Sequence, residues 1–290
     1  MTEPFGERLA RVFSRRGRLC VGIDPHASLL EEWGLPDSAA GAREFGLRVV
    51  DAAAGGAGIV KPQIAFFERH GSAGYAALEQ VLEAARAAEL LVIADAKRGD
   101  LGTSVDAYGE AWLTPGSPLE ADAMTAVAYQ GLGSLDGVLE RAERFGKGVF
   151  VLAATSNPEG LPTQAAVRAD GRTVAAGVVA DVAARNRASG SGASGSRSSG
   201  GGAPASFGVV VGATVVLAEL GLDRASFAGM PVLAPGFGYQ GARGAELREL
   251  LSAAAQNVVV SASRSILAVG PRGLGAAIDE HAREVAACLV

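Results

Sequence analysis

Only two of the 290 residues are cysteine, Cys20 and Cys288, near opposite ends of the chain. That is too sparse for a disulfide framework or a thiolate zinc site, so both are read as small buried apolar residues. An excess of basic charge is also missing: 26 Lys and Arg against 31 Asp and Glu give a formal charge of −5. Without a basic surface, nucleic acid is not expected as a partner. Long apolar runs are lacking too. The longest, Phe207 to Ala218, falls short of the ~20 residues needed to span a bilayer and is closed by Glu219. The run Leu19 to Ile23 follows five arginines but is shorter than a signal-peptide core and stops at Asp24. A cytoplasmic protein with no membrane partner is expected. The three histidines, His26, His70 and His281, show no metal-ligand spacing and suit solvent or helix-end positions. Neither a Gly-x-Ser-x-Gly elbow nor a Walker loop occurs, which removes the usual hydrolase and nucleotide-hydrolysis readings.

What is present is apolar material in a recurring order. Hydrophobic residues make up 49% of the chain and charged residues 20%, enough for a large core and too apolar for a disordered regulator. Apolar runs predict strands over Leu19–Asp24, Gly58–Gln63, Leu90–Lys97, Ala123–Tyr129, Gly148–Ser156, Phe207–Thr214, Met230–Phe237 and Asn257–Arg264. Between them lie stretches with helical spacing, such as 75–89 with Leu78, Val81, Leu82 and Ala85 on one face, and 135–145 with Leu135, Val138, Leu139 and Ala142. Eight strands alternating with helices predict a parallel α/β sheet closed into a (β/α)₈ TIM barrel. The length suits one such domain over 1–290, and no Gly-x-Gly-x-x-Gly turn follows the first strand to suggest an open sheet. Residues 188–205, almost all Gly, Ser and Ala, read as a flexible insertion on the side of the barrel away from its reacting end. Trp33 and Trp112 read as packing residues.

In such a barrel the reacting groups stand at the C-terminal ends of the strands. Polar residues that end the apolar runs are Asp24, Lys61 with Gln63, Asp95 and Lys97 with Asp100, Thr155 and Ser156, and Arg264. Asp95 and Lys97 are two apart and so share a face of their strand. If that face is the lumen, Lys61 on the neighbouring strand joins them in an array of alternating charge that is costly to bury unless fully paired. The loops after the seventh and eighth strands are where barrels commonly bind phosphate. They hold Pro235-Gly236-Phe237-Gly238-Tyr239-Gln240-Gly241 and Ser263-Arg264: glycines for close backbone approach, an amide donor and a bidentate cation.

The heptapeptide Ala94-Asp95-Ala96-Lys97-Arg98-Gly99-Asp100 resembles the Asp-x-Lys-x-x-Asp motif of the orotidine 5′-phosphate decarboxylases, particularly the longer bacterial type. Val21-Gly22-Ile23-Asp24-Pro25, Val60-Lys61-Pro62-Gln63, Ala154-Thr155-Ser156-Asn157-Pro158, the glycine-rich 235–241 block and Ser263-Arg264 resemble the family's other blocks, in order. The resemblance implies decarboxylation of orotidine 5′-monophosphate to UMP with no cofactor and no metal. It implies that Lys97 donates the proton, that Asp95 faces the departing carboxylate, and that Lys61 holds Asp95. Asp100 would reach into the site of a second copy, making a homodimer with shared sites. Asp24 would bind a ribose hydroxyl, Ser156 the pyrimidine, and Gln240 and Arg264 the phosphate. Leu101 and Gly102-Thr103-Ser104 depart from the usual pattern, at the ribose contact assigned to Ser104. Two alternatives stay open: a magnesium-dependent sugar-phosphate decarboxylase or aldolase on the same barrel, and a non-catalytic barrel that binds a phosphate ligand.

Overall fold

The computed structural model describes residues 2–190, 203–223, 225–237 and 257–288. Eight parallel strands close on themselves in chain order: β1 (Leu19–Ile23), β2 (Ile59–Pro62), β3 (Leu91–Arg98), β4 (Ala123–Ala126), β5 (Gly148–Ala154), β6 (Phe207–Val211), β7 (Val232–Pro235) and β8 (Val258–Ala262). Closure is made by β1 against β8, with Leu19 opposite Val260 and Val21 opposite Ala262. The architecture is the (β/α)₈ barrel that the sequence predicts. Most strands end earlier than their apolar runs. Asp24, Ser156, Thr214 and Arg264 lie past the last ladder pairs, and Tyr129, which is 87% exposed, stands well outside β4. The backbone has already turned into the loops there, where polar groups reach water and ligands.

The helix Gly71–Ala87 buries Leu78, Val81, Leu82 and Ala85, and Asp136–Phe145 buries Val138, Leu139 and Ala142, the faces that the spacing predicts. A helix unassigned from sequence, Phe5–Arg16, precedes β1. It buries Phe5, Leu9 and Phe13, which at i, i+4 and i+8 form one apolar stripe. That stripe closes the N-terminal end of the barrel by packing on the inward residues Cys20, Ile59, Leu91, Ile93 and Phe150. Phe5 meets Phe150 edge to face at 6.0 Å, and Gly148 must be glycine because a Cβ there would lie 2.5 Å from the Phe5 ring.

Trp33 and Trp112 are buried packing residues, and Trp33 Nε1 donates to the Leu267 carbonyl at 3.1 Å. Cys20 is fully buried, whereas Cys288 at the end of the last helix is only half-buried, which corrects the reading of both as buried. His26 and His70 do stand at helix starts. His281 does not: it sits within the helix Leu274–Ala287, its ring bonded to the Ala277 carbonyl (2.8 Å) and Ser265 Oγ (3.0 Å). Of the Gly/Ser-rich stretch, residues 191–202 lie outside the described residues.

Candidate active site

Side chains on a strand alternate, so every second residue of β1, β2 and β3 points into the barrel. On β3 the inward series runs Leu91, Ile93, Asp95, Lys97; on β2 it runs Ile59, Lys61, then Gln63 just past the strand. Each series starts apolar at the closed end and turns charged at the C-terminal end. The charged residues line a cavity of about 240 Å³ at the mouth of the barrel.

Asp95 is the hub of this mouth. Its Oδ2 accepts from Lys61 Nζ at 2.7 Å and Gln63 Nε2 at 3.0 Å; its Oδ1 accepts from Lys97 Nζ at 2.6 Å and Thr125 Oγ1 at 3.0 Å. Four donors therefore saturate one buried carboxylate, the condition under which a buried charge array is tolerated. Burial works against ionisation of Asp95, but the charges of Lys61 and Lys97 outweigh it and hold the carboxyl well below the usual carboxylate range. Burial also disfavours the Lys61 ammonium, yet Asp95 and Asp24 more than restore it, so Lys61 titrates above the usual lysine value.

Lys97 differs from Lys61 in two ways. Its side chain is 43% exposed, against 6% for Lys61, so its ammonium faces the open cavity. Its backbone takes φ +49°, left-handed for a residue with a Cβ, where the β3–β4 register shifts between Ala94 and Arg98. The strain, about 1 kcal/mol, is held by the Lys97 N–H, which donates to Thr125 Oγ1 at 2.9 Å. Just past this kink, Gly99 has no room for a Cβ, which would lie 2.2 Å from the Val127 carbonyl oxygen.

The structure brings Asp24, Lys61, Asp95, Lys97 and Arg264 to one cavity. Asp24 Oδ1 is buried with no hydrogen-bond partner. Arg264 opens the helix Arg264–Leu267 directly after β8, and Gly22 beneath leaves the space that Ser263 fills. Pro235, at the end of β7, and Gly236 and Phe237 after it form one wall; Gln240 lies outside the described residues. Ser156 stands exposed beyond β5, and its neighbour Thr155 lines the cavity instead. Asp100 and Ser104 do not line it either. Asp100 Oδ1 accepts from the Leu101 N–H at 2.9 Å, beside a Leu101 side chain that is 61% exposed, and Ser104 is exposed on the helix Gly102–Leu113. Sequence reasoning missed Thr125 and Ser261. The signal for Thr125 was available: it is the single polar residue in the apolar run that forms β4.

The model of the orotidine 5′-phosphate decarboxylase / HUMPS family matches residues 17–273. The chain belongs to this family. A Streptomyces coelicolor orotidine 5′-phosphate decarboxylase is 49% identical over 285 residues, covering 98% of this chain and 97% of the relative. One from Salinispora tropica is 48% identical, covering 93% and 91%. A crystal structure from Streptomyces avermitilis assigned to the same enzyme superposes with a TM-score of 0.89 at 48% identity, covering 100% of this chain and 97% of that one. Among the described residues, no helix is long and apolar enough to cross a membrane.

Proposed function

We propose that the chain decarboxylates orotidine 5′-monophosphate to UMP and carbon dioxide, the last step of de novo UMP synthesis, as a cytoplasmic one-domain homodimer using neither metal nor cofactor. The observation that carries the reading is the Asp95 carboxylate shared between a buried lysine and a lysine facing the cavity. The substrate carboxylate enters beside Asp95, which stays ionised because its pKa is held low. As the C6–carboxyl bond breaks, its electron pair remains on C6 and carbon dioxide leaves. The Lys97 ammonium stabilises that carbanion and then gives it a proton, so one group serves as electrostatic partner and general acid. Lys61 is a positioning residue: it fixes Asp95, and through Asp95 the approach of Lys97.

The remaining roles rest on the family resemblance. Asp24 offers an unpartnered carboxylate oxygen to a ribose hydroxyl, and Arg264 a guanidinium to the phosphate, joined by Gln240. Ser156 serves the pyrimidine. Asp100, which does not line this chain's own cavity, serves the site of a second copy, and Ser104 serves the ribose. Grip on the phosphate supplies binding energy remote from the bond that breaks, which a reaction without covalent catalysis needs.

The test is loss of orotidine 5′-monophosphate absorbance on adding protein in EDTA. Wild type turns over and Lys97→Ala does not; no loss in either overturns the proposal and directs assays to sugar phosphates with magnesium. For the shared site, Lys97→Ala and Asp100→Ala are each inactive alone. Mixed and re-equilibrated, they regain activity at up to about one quarter of the sites, because half of the randomly formed pairs carry one intact site. No recovery argues against the dimer.

A further inference from the structure

The opposite end of the barrel holds a second cavity, of about 370 Å³, between the helix Phe5–Arg16 and the starts of β2 and β3. It is lined by five arginines, Arg8, Arg11, Arg15, Arg16 and Arg86, an unusual concentration in a chain of net charge −5. Three carboxylates oppose them: Glu89 and Asp122 in the lining, and Glu3, which takes Arg11 through both of its oxygens. Asp122 is already committed, to Arg8 on one oxygen and to the Val92 N–H at 2.8 Å on the other. Arg16 and Arg86 are held by neutral carbonyls, those of Ala54 (2.6 Å) and Glu120 (2.8 Å), which orient the guanidinium groups without cancelling their charge. Arg15 makes no hydrogen bond or ion pair among the described residues, and Arg8 Nε is buried without a partner. Cations fixed in direction and left in excess form a site for an anion.

We infer that this cavity binds an oligophosphate group, free or carried by a nucleoside. Arg15, Arg16 and Arg86 keep no carboxylate partner, and Arg8, paired through one nitrogen, keeps a buried Nε–H on the same small-molecule-sized volume; together these donors exceed what a single phosphate engages and suit linked phosphates. Gly58 and Leu91, at the feet of the strands that carry Lys61 and Asp95, form part of its wall. The inference is independent of the reaction proposed for the mouth.

The test is calorimetric titration of the full chain with tripolyphosphate in EDTA at fixed ionic strength. One saturable site per chain is expected. Arg11→Ala/Arg15→Ala, both exposed positions, weakens binding by about tenfold or more with kcat/KM unchanged, which also shows that the variant is folded. Arg264→Ala at the mouth leaves tripolyphosphate binding as in wild type. Arg15→Glu gives a second, single-site check in the same direction. ATP and UTP arms separate the sources: tighter binding than tripolyphosphate means a nucleoside carries the group, and equal or weaker binding means the free oligophosphate. The inference is overturned if no site saturates, if equal ionic strength of sulfate displaces the ligand fully, or if Arg264→Ala and not the Arg11/Arg15 change removes it.

Discussion

The two ends of the barrel solve opposite problems with the same strands. At the closed end, Cys20, Ile59, Leu91 and Ile93 meet Phe5, Leu9 and Phe13 in a dry layer whose stability comes from area removed from water. Two residues further along β2 and β3, the same inward face carries Lys61 and Asp95, whose burial is offset by their pairing and by the donors Gln63, Lys97 and Thr125. Apolar packing loses what is cut from it, by roughly the transfer cost of the missing atoms and the cavity left. A paired charge array loses more than the missing contact, because the partner left behind stays buried and charged. Function sits at the end where that second kind of energy is stored.

The sharpest way to break this contrast is Lys61→Met. Asp95 keeps its burial but loses its closest fully buried counter-charge, so we expect a loss of about 3–5 kcal/mol at pH 7 and a fall in turnover of about a hundredfold or more. The pH dependence separates charge from packing. In wild type the folded pKa of Asp95 is depressed, so its contribution is present above the unfolded value of ~3.9 and is lost as pH falls through the folded one. Without Lys61 the folded pKa rises, so acid costs the variant less than it costs wild type. Urea unfolding at pH 7 and pH 4 should show the gap between them narrowing in acid; a gap of constant size would mean that the loss is packing after all.

Phe5→Ala probes the other end. Removing a fully buried ring that packs on Phe150 and Gly148 is expected to cost about 3–5 kcal/mol, with no pH dependence between pH 7 and pH 4 beyond that of wild type. The rate at saturating substrate stays within about twofold, since the aromatic layer touches none of the charged residues at the mouth. A large drop in kcat with an intact fold would show that the closed end positions the mouth, and would dissolve the division drawn here.

How much of this was legible depends on which physical signal each residue leaves. Eight strands were readable because parallel strands buried on both faces are near-continuous apolar runs, and the charged residues ending those runs named the charged lining of the cavity. The same continuity hid the inward and outward faces: Ile93 and Ala94 look alike in sequence, yet one belongs to the barrel interior and the other to the layer beneath the helices. Thr125 went unread because a lone threonine in a strand is ordinary; its two bonds, to Asp95 and to the Lys97 N–H, exist only once β4 lies beside β3. The helix Phe5–Arg16 was masked by its five charged residues, Glu7, Arg8, Arg11, Arg15 and Arg16, which outnumber the three residues of its apolar stripe. Asp100 and Ser104 were named from the motif, and their absence from the cavity of their own chain is a property of the fold that no spacing along the sequence encodes.

The smallest effect concerns the two thiols, of which Cys20 reports on the closed end. Burial pushes the Cys20 thiol up to about 12, a shift that the nearby Lys61 charge opposes without reversing. Thiolate is the nucleophile in alkylation, so at pH 8 Cys20 is both protonated and enclosed, while Cys288 is half-buried at a helix end and within reach of reagent. Iodoacetamide should therefore modify Cys288 alone in the folded protein, with stability and turnover unaltered, and reach Cys20 only when the closed end opens. In Phe5→Ala the Cys20 rate should rise in step with the loss of stability, because alkylation then tracks the population of the open form. Fast labelling of Cys20 in wild type, read by peptide mass, would mean that the apolar layer opens independently of global unfolding. The end assigned here to stability would then be the more mobile of the two.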